Sequence, residues 1–210
     1  YKQKINWWLR KGWTKAVKRL LLGGDVERLF SQVEFDEARA RLGAAYFAAG
    51  RDEWALQWAA KAARRSGNFV SIAHWTAGLA AWRLKRFDVA AGHFETLAAI
   101  PGKSPWITSA AAFWAARTHL LNRNPEKVNR WLKVAAASPR TFYGLLSGRI
   151  MGMPMAFQWA APALKKETLR EVTATPTGRR TLALIQVGEM RRAERDLRGL
   201  AAKTKPQNLL

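Results

Sequence analysis

The stretch HWTAGLAAWRLKRFDVAAGHFETLA, residues 74–98, decides the fold. Its second half carries apolar side chains at steps of three and four residues, which places them on one face of a helix: Phe87, Ala90, Phe94 and Leu97. Gly78 is small enough to let the preceding helix approach this face closely. Lys85 and Arg86 mark the turn between the two helices. A single helical hairpin cannot bury both of its apolar faces, so it needs neighbouring hairpins.

Similar hairpins are found along the rest of the chain. A step of five residues leads from a turn glycine to an apolar residue of the next helix, at Gly12–Val17, Gly50–Ala55 and Gly188–Ala193. The apolar anchors Ala55, Ala90 and Val128 are 35 and 38 residues apart, close to a tetratricopeptide period. The pattern predicts an all-α protein, a right-handed α-solenoid or superhelix of tetratricopeptide-like helical hairpins. The alternative is a helical bundle without repeats that has similar spacings.

The chain is strongly basic. Its 210 residues include 36 Lys and Arg against 15 Asp and Glu, which gives a formal net charge of +21. Such a charge is typical of proteins that bind nucleic acid or other anionic surfaces. The cations are spread along every predicted helix, and the sequence contains no zinc finger, RRM motif or Gly-rich RNA-binding loop. We therefore expect no specific nucleic-acid partner, only salt-sensitive non-specific binding.

Several classes of site are disfavoured by residue content. The chain has no Cys, which excludes disulfides and thiol catalysis. The three histidines, His74, His93 and His119, are not spaced at three or four residues from one another, so we expect no metal site and no cofactor. The longest uncharged run, between Arg65 and Arg83, contains several polar residues and is a poor membrane span, so no transmembrane segment is expected.

The order of patterns along the chain predicts two parts. Residues 1–22 resemble a basic helical hairpin, with an amphipathic membrane-surface helix as the alternative. Residues 26–42 predict a further helix with a break near Glu34–Asp36. After residue 138 the hairpin pattern weakens and then returns near the end. The predicted domains are a helical-repeat superhelix over 1–138, and linker helices with a closing hairpin over 139–210.

One segment resembles a known family. Residues 112–152, AFWAARTHLLNRNPEKVNRWLKVAAASPRTFYGLLSGRIMG, are similar to the last helical repeats of soluble lytic murein transglycosylases. In that family a Trp-x-x-Arg helix, here Trp114 and Arg117, is followed by a hairpin and a Thr-Phe-Tyr-Gly helix, here at 141–144. The hairpin RRTLALIQVGEMRRAERDLRGL, residues 179–200, is similar to the last repeat before the family's catalytic domain.

The resemblance implies a periplasmic enzyme of bacterial cell-wall turnover, whose superhelix carries a lysozyme-like domain on its C-terminal side. In the family a catalytic Glu, within a Glu-Ser pair, protonates the glycosidic oxygen and then acts as a base while an anhydro ring closes. No Glu of this chain is followed by Ser. Most of its glutamates also lie beside Lys or Arg, which lowers a carboxyl pKa and disfavours a general acid. We therefore expect the superhelical region alone, inactive by itself, without a catalytic residue and without the C-terminal lysozyme-like domain.

The implied partners are peptidoglycan glycan strands, held on a concave basic surface, and the missing catalytic domain. Most tryptophans sit at helical spacing beside Ala and Leu and are expected to pack between helices. Trp106 and Trp159 lie near prolines outside the clean repeats and are candidates for stacking on sugar. Arg117 belongs to the family motif, and Arg140 and Tyr143 flank the helix that faces the catalytic domain in the family. The alternative function is a tetratricopeptide-like scaffold for protein partners.

Overall fold

The computed structural model describes residues 1–154 and 165–203, in which thirteen α-helices and no strand are found. The prediction of an all-α protein is therefore confirmed for this part of the chain. The chain divides into two compact units, Tyr1–Ala156 and Phe157–Leu210. No helix of the described ranges has the length and apolar character needed to cross a membrane.

The first unit contains ten helices: α1 (Lys2–Arg10), α2 (Thr14–Leu22), α3 (Asp25–Leu29), α4 (Gln32–Ala48), α5 (Asp52–Ser66), α6 (Ser71–Arg83), α7 (Phe87–Ala99), α8 (Pro105–Leu121), α9 (Pro125–Ala136) and α10 (Phe142–Ile150). From α4 onward each helix packs against the next along the chain, and α4 also contacts α6 as α8 contacts α10. The helices of this unit are thus packed in sequential pairs. Their shared core is rich in alanine, which lets neighbouring helices approach closely.

One turn geometry recurs between paired helices. The second residue after the last helical residue has a positive φ in five such turns, at Gly12, Gly50, Lys85, Arg123 and Gly188. The backbone N–H of the following residue then donates to a carbonyl five residues earlier. After α6, for example, the N–H of Arg86 donates to the carbonyl oxygen of Ala81 at 2.9 Å. This is the Schellman arrangement, which satisfies the last carbonyls of a helix.

The recurring turn explains the five-residue step of the sequence. Val17, Ala55 and Ala90 each stand five residues after the left-handed residue, and each is fully buried at the partner helix. The turn fixes where the second helix starts, and about one helical turn later its backbone meets the first helix. Only a small or compact side chain fits at that point.

Gly78 has the role that its size predicts. A Cβ atom added there would lie 2.7 Å from the ring of Phe94, which is fully buried on α7. The glycine therefore provides the space in which the phenylalanine ring packs between α6 and α7.

The predicted break near Glu34–Asp36 is wrong. The chain leaves the helix earlier, after Leu29, and α4 begins at Gln32. Ser31 caps α4: its Oγ accepts the N–H of Glu34 at 3.3 Å, and the Glu34 carboxylate accepts the N–H of Ser31 at 2.9 Å. Glu34 therefore does not interrupt a helix but completes a capping box at the start of α4.

Asp36, on the second turn of α4, is fully buried and ties this helix to α5. Its carboxylate accepts two hydrogen bonds from the Arg65 guanidinium, at 2.8 and 3.0 Å, and one from Ser66 Oγ at 2.6 Å. Arg39 donates a further bond at 3.2 Å. A buried charge is tolerable only with such a complete set of partners.

The second unit contains α11 (Lys166–Ala174), α12 (Pro176–Gln186) and α13 (Met190–Lys203). Thr175 caps α12 by accepting the N–H of Gly178 at 2.9 Å. Arg180 on α12 pairs with Asp196 on α13 through two hydrogen bonds of 2.6 and 2.7 Å. The hairpin expected over 179–200 corresponds to α12 and α13.

Candidate functional site

An aromatic cluster joins the first helices of two successive hairpins in the first unit. It consists of Trp75 and Trp82 on α6, Phe94 on α7 and Trp114 on α8. The Trp114 ring lies edge-on to Trp82 and Trp75, with centroids 5.4 and 6.4 Å apart, and 5.8 Å from Phe94. The three indoles are half-buried, so part of the cluster faces solvent.

Arg117 covers the outer side of this aromatic cluster. Its guanidinium carbon lies 5.4 Å from the Trp82 centroid and 5.3 Å from the Trp114 centroid, within range of cation–π attraction. Trp114 and Arg117 are one helical turn apart on α8, which explains the Trp-x-x-Arg spacing. The guanidinium is exposed, and no carboxylate in residues 1–154 pairs with it. Its charge therefore remains available to an anion.

Tyr143 attaches α10 to the same tryptophan. Its hydroxyl accepts a hydrogen bond from Trp114 Nε1 at 3.2 Å, and its ring packs on Phe113 with centroids 5.0 Å apart. Thr141 sets this position because its Oγ1 caps α10, accepting the N–H of Gly144 at 3.0 Å. The same hydroxyl donates to Ser109 of α8 at 2.8 Å. The Thr-Phe-Tyr-Gly segment is thus a helix start that is anchored on α8.

Trp106, at the start of α8, is 61% exposed and lines an open groove of about 300 Å³. The other lining residues come from α6, α7 and α8 and are almost all apolar: Ser71, Ile72, Trp75, Leu97, Ile107 and Ala110. Because Trp75 belongs both to this apolar groove and to the aromatic cluster, Trp106 and Arg117 lie on a continuous surface. The structure thus connects three of the predicted site residues, Trp106, Arg117 and Tyr143.

Arg140, another predicted site residue, is not among the residues that form this surface. Arg140 is exposed in the turn before α10 and makes no hydrogen bond or ion pair with the described part of the chain. Trp159 lies outside the described residues.

The helices that carry the three tryptophans of the aromatic cluster and Tyr143 have no acidic residue of their own. These helices are α6, α8 and α10, whereas the first turns of α5, α7 and α9 each carry one or two acidic residues. Arg83, at the end of α6, is compensated by Asp52, to which its Nε donates at 2.9 Å. Arg117 has no such partner. The side formed by α6, α8 and α10 is therefore cationic and aromatic.

Glu95 on α7 is a partly buried carboxylate that contacts a histidine. It accepts hydrogen bonds from His119 Nε2 at 2.7 Å and from Trp131 Nε1 at 2.9 Å. Burial raises the pKa of Glu95, but these hydrogen bonds outweigh burial and hold its pKa below the usual value. The group is therefore ionised at neutral pH and has no proton to give as a general acid.

His74 and His93 meet across α6 and α7, with 3.1 Å between their Nδ1 atoms. Burial lowers the pKa of both, and the nearby charge of His74 contributes to a pKa of about 4 for His93. Their separation in sequence gave no sign of this contact, since it depends on how the two helices face each other. Over residues 1–154 and 165–203, no three His, Asp or Glu side chains converge as a metal site.

The helical spacing of Trp75 and Trp82 beside Ala and Leu predicts packing between helices, whereas the structure shows that the aromatic cluster also reaches the surface. The seven-residue step between them places both on one side of α6, and Trp114 follows Trp82 by 32 residues, about one repeat. These two spacings together could have indicated from the sequence that the three tryptophans lie close together.

The sequence matches no protein-family model, and no curated protein is significantly similar to it.

Proposed function

We propose that this chain is a scaffold of tetratricopeptide-like hairpins, a right-handed α-solenoid, that holds the anionic glycan strands of peptidoglycan. In this proposal it is the non-catalytic superhelical region of a periplasmic lytic transglycosylase. The observation that carries the proposal is the uncompensated Arg117 guanidinium over Trp82 and Trp114, on helices that contain no acidic residue.

The solenoid part of the proposal is supported by side-chain bonds between residues about one repeat apart. Thr141 bonds Ser109, Trp131 bonds Glu95, and Asn122 bonds Asp88, over 32, 36 and 34 residues. Together with the sequential pairing of helices, these bonds link each hairpin to the next. Repetition of one such step from hairpin to hairpin generates a superhelix.

The glycan part is supported by the chemistry of the surface. The face of an indole complements the apolar face of a pyranose ring, and Trp106 offers an exposed indole beside the cluster. Muramic groups and peptide stems carry carboxylates, with which Arg117 can form charge-assisted hydrogen bonds. A strand that lies across α6 and α8 would thus meet aromatic platforms and a cation in succession.

The chain is proposed to hold glycan and not to cleave it, because the ionised Glu95 is already committed to two donors. Cleavage would come from a lysozyme-like domain docked on the superhelix. Arg140 is the proposed contact to that domain, since it is exposed and has no partner in the first unit. Tyr143 would orient α10 beside it through the hydrogen bond with Trp114.

The test is co-sedimentation of the purified chain with peptidoglycan sacculi at low salt. Arg117→Gln and Trp106→Ala are each expected to weaken binding about fivefold or more, and the matched control Lys61→Gln, an exposed cation on α5, to leave it nearly unchanged. Equal effects of Arg117→Gln and Lys61→Gln would show that only net charge matters. No sedimentation of the unaltered chain at low salt would refute the glycan-holding function.

A tetratricopeptide-like scaffold for protein partners is the second candidate, and the apolar groove favours it. Four of its seven lining residues have no polar group in their side chains, and the others offer only the Ser71 hydroxyl and two indole N–H groups. Such a groove suits an apolar side chain of a peptide. If Trp106→Ala abolished capture of a defined apolar peptide while binding to sacculi was unchanged, the groove would belong to a protein partner.

A further inference from the structure

We propose that the N-terminal hairpin, α1 and α2 with their turn, binds the surface of a membrane that contains anionic lipids. This is a second interaction surface, separate in sequence and in its residues from the aromatic cluster and the apolar groove. It does not depend on whether the chain holds glycan.

The N-terminal hairpin presents two large aromatic side chains to solvent, one on α1 and one in the turn. Trp7 is 44% exposed and Trp13 is 50% exposed, and their rings pack edge to face with centroids 5.0 Å apart and an interplanar angle of 85°. The hairpin is held to the protein by other residues, since Ile5, Val17 and Leu21 are buried on its opposite side. The indole pair is therefore not needed to close the core.

The N-terminal hairpin carries positive charge only. Residues 1–24 contain no Asp or Glu and seven Lys or Arg: Lys2, Lys4, Arg10, Lys11, Lys15, Lys18 and Arg19. Lys2 pairs with Glu34 of α4, whereas Lys4 and Lys18 lie over tryptophan rings. The remaining four are exposed and have no carboxylate partner in the described residues. Three of them lie close to the turn: Arg10, Lys11 and Lys15.

The combination of exposed indoles and free cations fits an anionic lipid interface. Tryptophan prefers the boundary between headgroups and acyl chains, where its ring is partly dehydrated and its N–H stays hydrated. Lysine and arginine near that boundary are attracted to the negative surface potential. Exposed tryptophans together with unpaired cations are typical of amphipathic segments that lie in the membrane interface.

The indole pair and the charge around it favour a lipid surface. Trp7 and Trp13 pack edge to face as one apolar knob. Unpaired cations lie on the same hairpin, so the knob can enter the interface while the cations contact anionic headgroups.

The test is flotation of the purified chain with vesicles of phosphatidylcholine alone or mixed with phosphatidylglycerol. We expect binding only to the mixed vesicles, decreasing at high salt. The exposed pair Lys11→Gln and Lys15→Gln should weaken binding about fivefold per cation removed. Trp7→Ala with Trp13→Ala should weaken it about fivefold or more through the lost apolar contact.

Matched controls are available in the same unit. Lys61→Gln with Arg64→Gln removes two exposed cations of α5, and Trp106→Ala removes an exposed indole elsewhere. These variants should bind the mixed vesicles as the unaltered chain does. Equal losses in the hairpin and control variants, or no binding to phosphatidylglycerol vesicles, would overturn the proposal. The lysine variants touch no core side chain, so circular dichroism is expected to show an unchanged fold, and their result stands even if the tryptophan variants unfold.

Discussion

The histidine pair between α6 and α7 predicts that the protein loses stability when the pH falls from 7 to 5. The pKa of His93 is lowered from 6.5 to about 4 in the folded protein, by burial and by His74. The unfolded chain therefore takes up this proton near pH 6.5, whereas the folded protein resists it until about pH 4. Stability from this residue is present above pH 6.5 and is lost as the pH falls towards 4. One such proton corresponds to about 2 kcal/mol between pH 7 and pH 5.

The sign and the size of this change in the free energy of unfolding can be measured by urea unfolding at pH 7 and pH 5. Carboxylates of lowered pKa, such as Glu95, lose their contribution mainly below about pH 4.5, so this interval isolates the histidines. The control variant is His93→Asn, whose amide can replace the ring Nδ1 as a partner of His74 but does not titrate. It should remove most of the pH dependence. An unaltered chain that is as stable at pH 5 as at pH 7, or a variant with the same slope, would refute this reasoning.

Three further predictions concern the packing of the first unit, each measured as the change in the free energy of unfolding. Lys85→Gly should stabilise the protein by about 0.5–1 kcal/mol, because Lys85 holds φ at 60°; a loss of stability would contradict the turn geometry. Gly78→Ala should destabilise it by about 1–3 kcal/mol, because the new methyl group overlaps the buried Phe94 ring, and a neutral result would mean that the ring can move. Asp36→Asn should cost about 2–3 kcal/mol, below the value for a fully buried pair because Arg65 is partly exposed; a cost near zero would mean that the bonds to Asp36 contribute little.

The hairpins were predictable because their signal is local. The five-residue step from Gly50 to Ala55 reports a turn and the first close approach after it, both of which depend on residues adjacent in sequence. Gly78 was predictable for the same reason. The capping box at Ser31 and Glu34 is also a local pattern, but the break was expected a few residues too late, near Glu34–Asp36.

Contacts across helices were not predictable in this way. The bonds from His74 to His93 and from Trp114 to Tyr143 depend on the rotation and offset of one helix against another. The spacing of residues within one helix does not determine that rotation or offset. Of the candidate site, the sequence therefore yielded the residue types and the exposed Trp106. The position of Arg117 over two tryptophans from successive hairpins emerged only from the packing.

The sequential packing of the first unit has a consequence for how the chain acquires its structure. From α4 to α10 the principal partners of each helix are the next helix or the next but one along the chain. Segments made early during synthesis thus find their partners without waiting for distant sequence, a property associated with rapid acquisition of structure. Such a protein can fold vectorially, hairpin by hairpin, as it emerges from a ribosome or a translocation channel.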